Sequence, residues 1–345
     1  MSEMTQKSKT AEILSQALPY VLAVLGAFAA AGVFLYLMGF DVLEAYKTIL
    51  YTSFKSTNGF VQTLLKFTPL VLMALAFTIP QKAGKFNIGV EGQLILGGVG
   101  ATVVGILCAE LPPWLLIPLV IFAGVVFGGF WALIPAWLLY RFGINEILST
   151  VLMNFISYNL LDFVATKIWR DPMAGHPTTI PISANGFLPK LIQSPPLHSG
   201  LIIALVVAAI VYVYTNHTSA GYELVATGAN PKAAKVFGIP TKILFLLALV
   251  LGGGMAGLAG AIEVAGTHHR LIEGMQSNYQ ALGIITGLLA KGNHAAVPFV
   301  AFALAVLEIG ASALQRTMGI PVEMVFIVEA MILIFVLLSD VVRRK

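Results

Sequence analysis

The chain has 345 residues, of which 58% are hydrophobic and only 10% charged, and its mean hydropathy is +0.89. A soluble domain carries about 25% charged residues, so this composition excludes an ordinary water-soluble fold and places the chain in lipid. The net charge of +4 comes from 20 Lys and Arg against 16 Asp and Glu scattered between apolar runs, a positive-inside pattern and not a nucleic-acid footprint. The lone Cys108 allows neither an intrachain disulfide nor a metal-ligand set.

Residues 1–16 are polar, and residues 17–39 then run uncharged for 23 positions. A secretory signal core is about 7–15 residues, so this run reads as a retained helix. Lipid offers backbone groups no partner, so each further apolar run also reads as a helix. Ten are predicted, at 17–39, 63–80, 93–109, 113–139, 146–165, 199–215, 242–264, 281–291, 295–314 and 322–341. The eighth falls short of the roughly 20 residues that a straight crossing needs, and reads as half of a broken helix or a re-entrant turn. The fold class is therefore all-α and polytopic. Residues 17–341 form one transmembrane domain between a cytoplasmic tail at 1–16 and a basic cytoplasmic tail at 342–345.

With the N-terminus in the cytoplasm, twelve basic residues fall inside, among them Lys82, Lys85, Arg141 and Arg343, against eight outside, among them Lys47, Lys167 and Arg270. That bias predicts both termini inside. Residues 167–198, rich in Pro, Thr and Ser, read as an extracytoplasmic loop. Helices two to five and seven to ten would then have opposite orientations, the arrangement of an inverted repeat.

Three polar clusters interrupt the apolar pattern. Lys85-Phe86-Asn87-Ile88-Gly89-Val90-Glu91-Gly92-Gln93 sits between the second and third runs. Glu91 at the bilayer centre would cost about 2.5–3.5 kcal/mol, and such groups mark a transport path unless they belong to an interfacial turn. Helical spacing would put Asn87 and Glu91 on one face at i and i+4. A cytoplasmic turn and a pathway element both fit. If a pathway, the expectation is cargo contact for Asn87 and bracing for Glu91.

The second cluster opens the fifth helix with Asn145-Glu146-Ile147-Leu148-Ser149-Thr150, followed by Asn154, Ser157, Tyr158 and Asn159. Asn145 suits an N-cap. Asn154 lies deeper in apolar sequence and needs a partner, either another helix or cargo. The third lies in the loop at 218–241, where Asn230 suits an N-cap, Pro231 the first helical position and Gly238 the stop. A short, basic, cytoplasmic helix results, containing Ala233, Ala234 and Lys235, suited to docking a partner. Further along, Gly252, Gly253, Gly254, Gly257 and Gly260 read as close helix packing. His268 and His269 read as a solvated turn, while Glu263 and residues 277–280 are weaker pathway candidates. No P-loop pattern occurs, so an ATPase site on this chain is not expected.

Taken in order, the motif Phe86 to Gln93, the run Asn145 to Thr150 with Asn154, and the stretch Gly228-Ala229-Asn230-Pro231 through Gly238-Ile239 resemble permease subunits of bacterial ABC importers. The resemblance is to the nucleoside and simple-sugar branch of the branched-chain amino acid permease superfamily, and runs from about residue 15 to the C-terminus. It implies a type II importer-like fold in a bacterial inner membrane, with a coupling helix after the sixth span. It implies a cytoplasmic ATPase that hydrolyses the ATP, a second homologous permease in a heterodimer and an extracytoplasmic substrate-binding protein, with no cofactor on this chain. By the same resemblance, Gly228, Asn230, Pro231, Ala233, Ala234, Lys235 and Gly238 would form the coupling element. Phe86, Asn87, Glu91, Gln93, Asn154 and Tyr158 would line the substrate pathway, for nucleosides or alternatively a simple sugar. Thr286 and Lys291 stand where relatives tend to have an apolar run. A different class, an ion-coupled transporter with Glu91 as proton site, is the runner-up, followed by a receptor-like or scaffold membrane protein.

Overall fold

The computed structural model describes residue 22 and residues 25–343, and most of them are helical. The predicted tail at 1–16, residues 17–21, 23 and 24 of the first predicted span, and Arg344 and Lys345 lie outside the described residues. In chain order the helices are α1 (Leu25–Leu37), α2 (Val42–Phe54), α3 (Thr57–Lys82), α4 (Val90–Leu107), α5 (Pro113–Phe142), α6 (Glu146–Phe163) and α7 (Gly200–His217). They continue with α8 (Ser219–Ala229), α9 (Pro231–Val236), α10 (Thr241–Ile262), α11 (Tyr279–Leu289), α12 (Val297–Met318) and α13 (Val322–Arg343). π-helical turns extend α6 through Val164–Ile168 and α10 through Glu263–His268.

Among the described residues, seven helices are long and apolar enough to cross a membrane: α3, α4, α5, α6, α7, α10 and α12. The other three predicted spans coincide with α1, α11 and α13, whose apolar stretches are shorter. The multi-pass all-α architecture is as expected, and ten is an approximate count of its spans.

The chain divides into two compact units, residues 1–60 with 306–345, and residues 61–305. In the first, α2 occupies a stretch to which the sequence reading assigns no element. Glu44, Lys47 and the Asp41 cap, which accepts from Glu44 N at 2.9 Å, interrupt its apolar residues, so it does not read as a span. The Tyr46 hydroxyl donates to the Phe28 carbonyl, and Gly310 lies against Ile49.

The second unit is built around α4, α5 and α10. Leu94, Ile95, Leu116, Val120, Ala256 and Ile262 are fully buried there. Lipid tails are as apolar as Leu, so the helices are drawn together by dispersion contact, which needs close backbones. A Cβ on Gly97 would stand 2.3 Å from Gly257 Cα, and one on Gly260 2.0 Å from the Leu94 carbonyl oxygen. The glycine pattern at 252–260 therefore marks a packing seam. By contrast α11 has 11 residues, about 16 Å of helix at 1.5 Å per residue, too short to cross a bilayer by itself.

The segment expected as a loop at 167–198 is ordered by backbone bonds to the chain after α10. Thr179 N donates to Leu271 O at 3.0 Å, Ile182 N to His269 O at 2.9 Å and Leu188 N to Ala265 O at 2.9 Å. Arg270 pairs with Asp171 at 2.7 Å. A two-stranded hairpin, β1 (Lys190–Ile192) and β2 (Leu197–His198), closes it. His268 and His269 depart from the solvated turn expected of them. His268 pairs with the buried Glu263 at 3.2 Å, and His269 stacks on Phe187 with ring centres 3.8 Å apart.

His198, at the end of this segment, is buried. Its Nδ1 accepts from Gly200 N at 3.2 Å, so Nε2 carries the proton and faces Thr267 Oγ1 at 3.3 Å. Burial, and then the neighbouring His269, push its pKa down to about 4 from 6.5. Between those values the unfolded chain holds the extra proton, so the stabilisation is complete above pH 6.5 and is lost as the pH falls toward 4. Thermal unfolding in detergent should therefore drop in temperature over that window, with a shallower slope in His198→Asn. Parallel slopes would remove His198 as the cause.

Candidate functional site

Gly84, at φ +73°, ends α3, and residues 85–89 run without helical structure before α4 starts at Val90. The residue in the capping position is Gly89, which has no side chain to satisfy the first N–H groups of α4. A side chain from another helix serves one of them. Asn154, in the middle of α6, accepts from Gly92 N at 2.9 Å and donates to the Ile88 carbonyl at 3.1 Å. Two glycines allow this approach. A Cβ on Gly89 would meet Thr150 O at 2.9 Å, and one on Gly92 would meet Asn154 Oδ1 at 2.8 Å. Asn154 thus holds the broken backbone, and its burial at 4% exposure is explained by two hydrogen bonds to main chain.

Asn87 does not share a helical face with Glu91, because it precedes α4 in the non-helical stretch. Its amide instead pairs reciprocally with Gln93: Asn87 Nδ2 donates to Gln93 Oε1 at 2.8 Å, and Gln93 Nε2 to Asn87 Oδ1 at 2.9 Å. Asn87 also accepts from Gly89 N at 3.2 Å and donates to Ala76 O at 3.4 Å. At 0% and 1% exposure the pair is closed off, and its bonds run within the break and to α3. The Asn87 amide, expected to contact cargo, is thus engaged on both its atoms within the protein.

Glu91 is only partly buried and has the Tyr158 side chain as its neighbour on α6. Phe86 is 39% exposed, with its ring 6.1 Å from that of Phe77. Gln280, in the first turn of α11, completes the cluster. One terminal atom of its amide lies 2.7 Å from Asn154 Nδ2, 3.0 Å from Ile88 O and 3.2 Å from Glu91 Oε2. With nitrogen at that position, Gln280 donates to the Ile88 carbonyl and to Glu91. Sequence reasoning ranked Gln280 low because its partners lie far away along the chain, and its only signal was an amide in a polar run before a short helix.

The start of α6 is pinned to the break. Asn145 caps it as predicted, accepting from Ile147 N at 2.9 Å and Leu148 N at 3.2 Å, and Glu146 pairs with Lys85 at 3.4 Å. Ser149 and Ser157 turn back on their own helix, to Asn145 O at 3.0 Å and Asn154 O at 2.6 Å. Asn159 likewise bonds Phe155 O at 2.7 Å. Thr286, on α11, is buried and donates to Leu282 O at 2.7 Å.

The short helix predicted from Asn230, Pro231 and Gly238 is α9. Asn230 accepts from Ala233 N at 3.1 Å, Pro231 opens the helix, and Gly238 at φ +84° follows its end. Lys232 and Lys235 are exposed, whereas Ala234 is buried at 4% exposure and faces inward. The residues before it are not loop but the helix α8. Val236 and Phe237 are each 84% exposed, an apolar tip that the sequence reading did not single out.

A family model described as the permease component of branched-chain amino acid transport systems matches residues 59–337. The chain is 34% identical to a glucose ABC transporter permease of Haloferax volcanii, over 94% of this chain and 88% of that one. It is 30% identical to a guanosine ABC transporter permease of Bacillus subtilis, over 96% and 95% respectively. It is 29% identical to a nucleoside ABC transporter permease of Lactococcus lactis, over 97% and 93%.

Replacing Asn154 by Leu would leave the Gly92 N–H and the Ile88 carbonyl without their present partner. Each buried unsatisfied group costs about 1–3 kcal/mol. Asn154→Leu should therefore unfold at clearly lower temperature in detergent than the parent, and equal unfolding temperatures would remove the capping role.

Proposed function

The chain belongs to this family of branched-chain amino acid transport permeases, and from that premise we propose that it is the membrane-spanning subunit of a binding-protein-dependent ABC importer for nucleosides. The observation that carries the substrate class is the pair of guanosine and nucleoside permeases aligned along nearly their whole lengths. The cluster at the α3–α4 break supports it. Phe86 offers a ring face for a base, and Glu91, Tyr158 and Gln280 offer hydrogen bonds to base edges or ribose hydroxyls. Asn87, Gln93 and Asn154 hold the break that presents them. A simple sugar is the second reading, carried by the Haloferax volcanii relative. The family membership weighs against an ion-coupled transporter.

In this reading the chain binds no cofactor and has no ATPase site. ATP is hydrolysed by a cytoplasmic partner that docks on α9, while a second permease completes the pathway and an extracytoplasmic binding protein delivers cargo. The apolar tip of Val236 and Phe237, flanked by Lys232 and Lys235, supports α9 as the docking element. In this reading residues 218–241 and both termini face the cytoplasm and residues 167–198 lie outside. The site should bind cargo weakly, since the delivering protein supplies affinity and a tight site would slow release. ATP-driven closure of the partner would bias two arrangements of the helices around the break.

Uptake by the reconstituted complex should favour labelled guanosine over glucose; the opposite preference would select the sugar reading. Glu91→Ala and Gln280→Ala at matched expression should each reduce uptake by about tenfold while the ATPase still co-purifies. Wild-type uptake in both would remove the pathway assignment. Phe237→Asp should release the ATPase from the purified complex, and an intact complex would count against docking on α9.

A further inference from the structure

The helix before α9 meets the α3–α4 break backbone to backbone at one point. Gly228, next to the last residue of α8, lies against the Lys82 carbonyl so closely that a Cβ there would stand 2.0 Å from Lys82 O and 2.9 Å from Gly84 N. On the other side, a Cβ on Gly84 would be 3.3 Å from Gly228 O. Lys82 to Gly84 lead directly into Phe86 and Asn87. The contact therefore lies at the root of the segment that carries the polar cluster.

What lies between this contact and α9 is stiff. Asn230 alone joins the two helices and is bonded on both sides: its N–H donates to Ala226 O at 3.1 Å in α8, and its side chain accepts from Ala233 N at 3.1 Å in α9. The rest of α8 is seated as tightly, with Leu224 and Thr227 at 0% exposure and a Cβ on Gly221 falling 2.0 Å from Tyr214 O. A displacement of α9 thus has no loop in which to dissipate. Beyond the contact the break is held just as firmly, by the Lys85–Glu146 pair, the Asn87–Gln93 amides and Asn154.

We infer that the Gly228–Gly84 backbone contact is the transmission point of this chain, carrying movement of α9 into the α3–α4 break and so to Glu91 and Gln280. The inference rests on the importer reading above and deepens it by naming where coupling enters the pathway. Gly228 acts as a positioning residue, through the backbone of Lys82 and Gly84. Its lack of a side chain lets two backbones move as one body.

The test uses the full complex in lipid. Gly228→Ala should lower binding-protein-dependent uptake about tenfold, and by clearly more than it lowers ATP hydrolysis. Equal uptake in variant and wild type, or uptake and hydrolysis falling together, would overturn the linkage. A second measurement keeps Gly228 in place, because the added methyl can impair folding. Spin labels at Lys235→Cys and Phe86→Cys, in a Cys108→Ala background, report the distance from α9 to the break. That distance should be the same in nucleotide-free and ATP-bound complexes; a nucleotide-dependent change would overturn the linkage. A wild-type chain that captures no ATPase would overturn the importer reading and the linkage with it. A transporting wild type with an unaffected Gly228→Ala variant would overturn the linkage alone.

Discussion

One side-chain amide, that of Asn154, makes the rest of the site physically admissible. A helix cannot stop and restart among apolar neighbours unless protein replaces the water that would otherwise satisfy its free N–H and C=O groups. Asn154 supplies two such partners at once, an acceptor for the Gly92 N–H and a donor for the Ile88 carbonyl. Other features follow from that demand. Gly89 and Gly92 must be glycine for α6 to come close enough, and α6 must be held in register, which the Asn145 cap and the Glu146–Lys85 pair accomplish. The Asn87–Gln93 pair is the same requirement met from within the break.

Stiffness and adaptability are divided between two kinds of contact. Where α4, α5 and α10 meet, backbone lies on backbone through Gly97, Gly257 and Gly260, and there are no rotamers to yield. Around Glu91 the contacts are made by side chains that can rotate, Tyr158 and Gln280 among them. An incoming polar molecule can exchange with the second kind of contact at the cost of one rotated amide, whereas the first would have to be pulled apart. In the proposed importer, the group best placed to respond to cargo is therefore Gln280, on the half-length helix α11, and not the saturated Asn87.

Local chemistry was legible in the sequence, and long-range pairing was not. Asn230, Pro231 and Gly238 encode the boundaries of α9 within a few residues of one another, and the Asn145 cap is similarly local. The glycine spacing at 252–260 signals a seam whatever the partner helix is. Helical spacing misled at Asn87 because Gly84 and Gly89 bracket a stretch that is not helical, so an i,i+4 argument had no helix to act on. Gln280 and Asn154 are 126 positions apart, and no periodicity links them. The helices α2 and α8 escaped for another reason: charges or small residues dilute their apolar faces, and a reading tuned to spans passes over them.

The location of the Gly228 contact also bears on how a short helix at one edge could influence a site well inside the molecule. Coupling between sites typically amounts to about 1–3 kcal/mol, and any compliant link in the path absorbs part of it. Long side chains are such links, since a rotamer change lets them slip. A path of capped helix ends and touching backbones, from Asn230 through Gly228 to Lys82 and then to Asn87 and Asn154, contains few of them. Side-chain freedom enters only at its far end, with Gln280 and Glu91. A path that is stiff along its length and soft only at its terminus delivers displacement to the place where a small change in hydrogen bonding matters most.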